Sequence, residues 1–157
     1  MPMLNLPTPQ LNFFADLSVL VDKPHEVGQT HHGVRRMIPI LGGQLHGNGW
    51  TGRVLAGGAD FQLIVNERMA ELDARYTIET DGGDLIFVQN RAIRTAEPDV
   101  MAKLIRGEPV PPESVYFRCS PSFETASAAL GWITERFFLG TGARHPDKVV
   151  MRFFEVA

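Results

Sequence analysis

The chain has 157 residues, 44% of them apolar and 21% charged, with a formal net charge of -3. A single domain of this size removes roughly 68–70% of its unfolded surface from water, so its core needs no staple, and the one cysteine, Cys119, allows no internal disulfide. Fifteen basic against eighteen acidic side chains leave no electrostatic footprint for nucleic acid or an anionic membrane, and no segment approaches the roughly 20 apolar residues that span a bilayer.

The N-terminus, Met1-Pro2-Met3-Leu4-Asn5, has neither a basic stretch nor an apolar run of signal-peptide length, which predicts a cytoplasmic protein. From Leu11 to Val21 the odd positions are all apolar, a period of two that predicts a strand with one buried face. His31 and His32 are adjacent, so on a strand they face opposite ways and cannot share an ion. Neither they nor His25, His46 and His145 form a metal-binding pattern, and no metal is expected. Gly47-Asn48-Gly49-Trp50-Thr51-Gly52 has the spacing of a dinucleotide loop. Arg53-Val54-Leu55-Ala56-Gly57-Gly58 follows where a helix should begin, so a glycine-rich hairpin is the better reading.

Phe61 to Val65 is rich in aromatic and β-branched residues. Leu72, Ala74, Tyr76 and Ile78 alternate with Asp73, Arg75, Thr77 and Glu79, and Asp81-Gly82-Gly83-Asp84 then turns the chain into Leu85-Ile86-Phe87-Val88 as a hairpin. Pro98 and Asp99 suit a first helical turn, Val100, Met101, Leu104 and Ile105 form a helical stripe, and Gly107 and Pro109 stop it. Val115 to Cys119, Phe137 to Leu139 and Val149 to Val156 read as strands, with another short helix expected between Thr125 and Trp132. Fifteen glycines and eleven prolines agree with many turns and short elements. An all-β single domain over residues 1–157 follows, an antiparallel barrel or sandwich of about eight to ten strands with one or two short helices. A barrel, running from about residue 11, leaves no open sheet edge.

Charged residues inside these strands are the candidates for chemistry. Asp60 and Gln62 share one strand face, Asp73 and Arg75 another, and Tyr116 and Arg118 a third, while Glu124 stands where a strand turns toward a short helix. On the solvated side of a sheet such groups only pair across strands; at the mouth of a barrel they orient a ligand. Gly57-Gly58-Ala59 before Asp60 lets another chain or a ligand approach the backbone. Both faces of the Leu72–Thr80 strand have a plausible destination.

The strings Gly33-Val34-Arg35-Arg36-Met37-Ile38-Pro39-Ile40-Leu41-Gly42-Gly43, Gly57-Gly58-Ala59-Asp60-Phe61-Gln62, Asp73-Ala74-Arg75-Tyr76 leading to Thr80-Asp81-Gly82, Tyr116-Phe117-Arg118 and Phe123-Glu124-Thr125 resemble, in order, domain-of-unknown-function family 3237. The similarity runs from about Asn12 to Val156, with Phe61 where such proteins usually show Trp. The resemblance implies a calycin-like, lipocalin-like antiparallel β-barrel and brings no settled activity.

The mix of Asp, Gln, Arg and Tyr favours an enzyme without metal or cofactor. It would act on a small carboxylate, phenol or similar molecule by proton transfer, as a lyase, isomerase or hydratase. Asp60 or Glu124 is then the general base, Tyr116 or Tyr76 the proton donor, Arg75 and Arg118 the anchors for a carboxylate or enolate oxygen, and Gln62 an orienting group. On this reading Asp60, Arg75 and Arg118 share one cavity. A carrier barrel, in which the arginines hold an anion and no carboxylate is poised, is the alternative, and a structural or interaction protein the next. A homodimer through exposed aromatic residues such as Phe153 or Phe154 is also expected.

Overall fold

The alternating segments form ten antiparallel strands in the computed structural model, which describes residues 3–157. In chain order these are β1 (Leu11–Val21), β2 (His25–Thr30), β3 (Gly33–Gly47), β4 (Thr51–Val54), β5 (Ala59–Asn66), β6 (Met69–Thr80) and β7 (Leu85–Ala96). Helix α1 (Pro98–Ile105) follows, then β8 (Val115–Thr125), β9 (Phe138–Arg144) and β10 (Lys148–Val156). Strand β3 is long enough to carry β1 and then β2 along one edge and β4 and then β5 along the other. The ten strands therefore make eight staves. The sheet closes into a barrel because β1 pairs with both β10 and β3.

Side chains of one parity fill the interior: Leu17 and Val19 on β1, Ile38 and Ile40 on β3, Leu72, Tyr76 and Ile78 on β6, Phe117, Cys119 and Phe123 on β8. On β1 the expected odd-numbered row holds only in part. A bulge between Phe13 and Ala15 shifts the register, so Phe14 turns inward and Phe13 is left 44% exposed. His31 and His32 lie in the turn between β2 and β3 rather than on a strand, with their ring centroids 3.9 Å apart and the rings tilted by 41°. The helix expected between Thr125 and Trp132 is displaced: β8 runs on to Thr125 and a short 3-10 helix covers Gly131–Glu135. Phe153, expected at a dimer contact, is fully buried in the core.

The two ends of the barrel differ in chemistry. One is closed by Phe14, Trp50, Phe123, Trp132 and Phe138, whose rings stand 4.9–6.2 Å apart in tilted and edge-on pairs. At the other end Met101 and Leu104 of α1 bury against Ala96 and Val115. There Arg36 of β3 donates through Nη2 to the carbonyl of Ile105 at the helix C-terminus, 3.1 Å away, where a cation also favours the helix dipole. No described helix is long and apolar enough to cross a membrane.

Candidate active site

Asp60 is the second residue of β5 and turns inward. Across β6 its register partner is Ala74, and the next stave brings Asn90 of β7. The small side chain of Ala74 leaves space, and Asp60, Asn90 and Tyr76 border one cavity of about 40 Å³. Water needs about 10–15 Å³ on this measure, so the space takes up to about three waters or a group of similar size. Gly58 makes the approach of β5 to β6 possible, since a Cβ there would lie 2.4 Å from the Arg75 carbonyl oxygen and 2.7 Å from Tyr76 Cβ.

The polar cluster continues toward α1. Gln62 Nε2 donates to Asp60 Oδ2 at 2.9 Å, Asn90 Nδ2 donates to Met151 Sδ at 3.4 Å, and Arg94 lies over the Phe117 ring, 5.8 Å from its centroid. Six buried side-chain atoms have no hydrogen-bond partner among the described residues: Asp60 Oδ1, Gln62 Oε1, Tyr76 OH, Asn90 Oδ1, Arg94 Nε and Arg94 Nη1. Leaving such a group unpaired costs about 1–3 kcal/mol, more if charged. Here Asp60, Tyr76 and Asn90 line one cavity, and Gln62 and Arg94 continue the row of polar groups toward α1.

Burial sets the proton affinities. It raises the carboxyl of Asp60 above the usual 3.8, although the Gln62 hydrogen bond and the charges of Arg94 and Arg144 pull the other way. Burial, then Cys119 and Asp60, push the Tyr76 phenol up, so it remains a neutral donor. Burial brings the Arg94 guanidinium down to about 10, opposed by Asp60, and raises the Cys119 thiol to about 11.

Of the residues expected from the sequence, Asp60, Gln62 and Tyr76 come together in the interior. Arg75, Arg118, Tyr116 and Glu124 do not join them, because the apolar residues of β6 and β8 take the inward parity and their neighbours must point out. Arg75 pairs with Asp73 at 3.1 Å with its side chain 52% exposed. Arg118 stacks on Tyr116, 5.0 Å from the ring centroid, and Glu124 is exposed. Asp73, Tyr116 and Arg118 border an outer groove of about 600 Å³, far larger than the cavity. Among the described residues the groove strands no buried polar group: Asp73 is held by Arg75 and by Gln89 Nε2.

Asn90, Arg94, Arg36 and Arg144 were not anticipated. Asn90 and Arg94 share parity with Ile86, Val88, Ala92 and Ala96 on β7, and Arg36 shares it with Ile38 and Ile40 on β3. A polar residue in the apolar row of an alternating strand was the signal.

Fold and site together define an eight-stave antiparallel barrel whose interior is aromatic at one end and carries a buried polar cluster that runs toward the other. Residues 9–156 match the family described as "Protein of unknown function (DUF3237)", and the chain belongs to it. A UPF0311 protein of Rhodopseudomonas palustris is 41% identical over 150 residues, covering 96% of this chain and 98% of that one. One from Clostridium acetobutylicum is 37% identical over 142 residues, covering 90% of each. The crystal structure of a Rhodopseudomonas palustris protein of unknown function superposes with a TM-score of 0.91 at 39% identity, over 97% of this chain and 100% of that one. A β-barrel-like protein from Acinetobacter baumannii gives 0.86 at 32%, over 99% and 100%. An enzyme from Penicillium herquei gives 0.72 at 18%, over 99% and 100%, and shares the fold alone.

Proposed function

We propose that this barrel is an enzyme that moves a proton on a small organic molecule, with Asp60 as general base. The observation that carries the reading is the placement of Asp60. One carboxylate oxygen is fixed by Gln62 and the other is buried and unpartnered, on a cavity shared with the Tyr76 hydroxyl and the Asn90 carboxamide. A carboxylate desolvated in this way binds a proton more readily than one in water, which suits a base working nearer neutral pH. Tyr76, kept neutral, returns a proton or donates a hydrogen bond to a developing oxyanion.

Lyase, isomerase and hydratase steps all begin with a base and a hydrogen-bond donor placed in this way. A carrier would favour an apolar cavity with charge only at its rim, whereas here an otherwise apolar wall holds the Asp60 carboxyl, the Tyr76 hydroxyl and the Asn90 carboxamide. Arg75, Arg118, Tyr116 and Glu124 have no part in this reading. That the same fold serves an enzyme in Penicillium herquei is a fold-level analogy and transfers no residue.

The test does not require the natural substrate. The protein is incubated in deuterium oxide with a panel of small keto acids, phenols and unsaturated acids, and deuterium at carbon is followed by NMR. Exchange is expected for at least one compound, with Asp60→Asn slowing it about 10²–10⁴-fold, the usual contribution of a general base. Equal rates in Asp60→Asn and the parent for every exchanging compound would remove Asp60 from the chemistry.

A further inference from the structure

We infer that the α1 end of the barrel is a carboxylate site, in which Arg94 takes the negative group of a small organic acid and Arg144 stands at the mouth. The inference rests on reading the interior as a substrate site, and it names the class of substrate.

Three arginines turn inward at this end, and their situations differ. Arg36 is buried but satisfied: Nε meets Glu26 Oε1 at 2.9 Å and Nη2 meets the Ile105 carbonyl. Arg94 is only 2% exposed, forms no ion pair among the described residues, and leaves Nε and Nη1 without a partner. The Phe117 ring beside it offers a weak contact and accepts neither N–H in place of an oxygen. Arg144, half-buried at the end of β9, spends Nη1 on the His145 carbonyl and likewise has no ion pair among the described residues.

The charge balance points the same way. With Arg36 matched by Glu26, two guanidinium groups stand near Asp60, the one carboxylate turned into this interior among the described residues, an excess of one positive charge; Asp147 near Arg144 is exposed on the β9–β10 turn. A buried guanidinium without a counter-ion is among the costlier arrangements a fold can hold, and an anion in the site relieves it. One excess charge and a planar donor fit a monoanionic carboxylate better than a dianionic phosphate. Phe117, whose ring Arg94 overlies, lines the cavity of about 40 Å³ that Asp60 borders, which joins the two groups to one interior.

Access also lies at this end. Pairing of β1 with β10 stops at Leu20 and Lys148, and beyond it the outer edge of β2 has no strand partner among the described residues. Half-buried Val21 and Val149, with Arg144 beside Val149 in register, border that break in the wall. An acid arriving there meets Arg144 first and Arg94 deeper in. Its reacting atoms then lie toward Asp60, whose neighbours Ala74 and Ala92 are small.

The experiment is calorimetric titration of the parent, Arg94→Met, Arg94→Lys and Asp60→Asn with acetate, benzoate and inorganic phosphate at matched ionic strength. A carboxylate is expected to bind the parent. Arg94→Met should weaken that binding at least tenfold, Arg94→Lys should restore part of it, and Asp60→Asn should bind as tightly or more tightly because a nearby negative charge is gone. Without ligand, Arg94→Met should melt no lower than the parent, since an uncompensated buried charge has been removed; lost binding then cannot be lost folding. Carboxylate binding unchanged in Arg94→Met overturns the inference, as does phosphate binding more tightly than both carboxylates through Arg94, or no binding of any probe. Deuterium exchange keeps the two readings apart. If exchange ignores Asp60 while benzoate still depends on Arg94, the proton-transfer reading fails and the carboxylate site stands; the reverse pattern does the opposite.

Discussion

At the scale of single residues, Asp60 couples the proposed chemistry to stability. Its folded proton affinity is raised above the unfolded value of 3.8, chiefly by burial. Between 3.8 and the higher folded value the native state holds a proton that the unfolded chain has released. Stability therefore falls as pH rises through that window, and the loss is complete above the folded value. Asp16 has the opposite sign, because its hydrogen bonds to Arg152 lower it. Its contribution is lost as pH falls through the region below 3.8, so the two effects separate on the pH axis. Urea midpoints of the parent minus those of Asp60→Asn should decline with pH above 3.8 and then level off. Parallel curves would mean that the carboxyl of Asp60 is not desolvated. The same residue shows what sequence alone could deliver. Asp60 and Gln62 were legible as a polar pair on one strand face, and Gly57-Gly58 as a close approach. Arg75 and Arg118 were misplaced because a barrel with a polar interior and one with an apolar interior share the same alternation. Only closure of the sheet decides which parity goes in. Arg94, by contrast, sat in an apolar row throughout, where a charged residue has no bland explanation.

At the scale of elements, the parts with local causes were the most readable. The β6–β7 hairpin follows from Asp81-Gly82-Gly83-Asp84, with Gly83 at φ +89°. Helix α1 follows from its proline start, its apolar stripe and its glycine stop. The β1 bulge was invisible because an extra residue leaves no compositional mark beyond the consecutive aromatics Phe13 and Phe14. Eight residues are too few for a helix to persist alone in water, so α1 is held by what it packs on. Met101 is fully buried and Leu104 nearly so, and Arg36 ties down the last turn. Leu104→Ala should cost about 2–5 kcal/mol in urea unfolding, the range for a buried leucine. If the value is near zero, α1 is a loose flap over the polar end rather than its cover.

At the scale of the whole molecule, closure is what makes the interior an interior, and it depends on β1 finding β10 from the far end of the chain and β3 from nearby. A barrel has no free edge along its staves only when that seam is made, and an opened seam offers unpaired strands to other chains. The tightest point of the seam is Gly43 on β3. A Cβ there would stand 2.2 Å from the Ser18 carbonyl oxygen and 3.0 Å from Val19 Cα, and its φ of +152° already departs from ordinary extended backbone. Both neighbours are backbone and cannot swing aside. Gly43→Ala must therefore part β1 from β3 or strain them, and overpacking plus backbone strain together amount to about 2–6 kcal/mol. Gly131→Ala is the control, since its added Cβ meets nothing within 4 Å and its backbone has no left-handed φ; it should stay within about 0.5 kcal/mol of the parent. Urea unfolding of the two variants decides the matter, with light scattering to follow aggregation. Equal midpoints would show that the β1–β3 seam can spread without loss and that closure rests on β1–β10 alone. A large loss confined to Gly43→Ala, with aggregation, would place closure of the barrel in the backbone contacts of Gly43 with Ser18 and Val19.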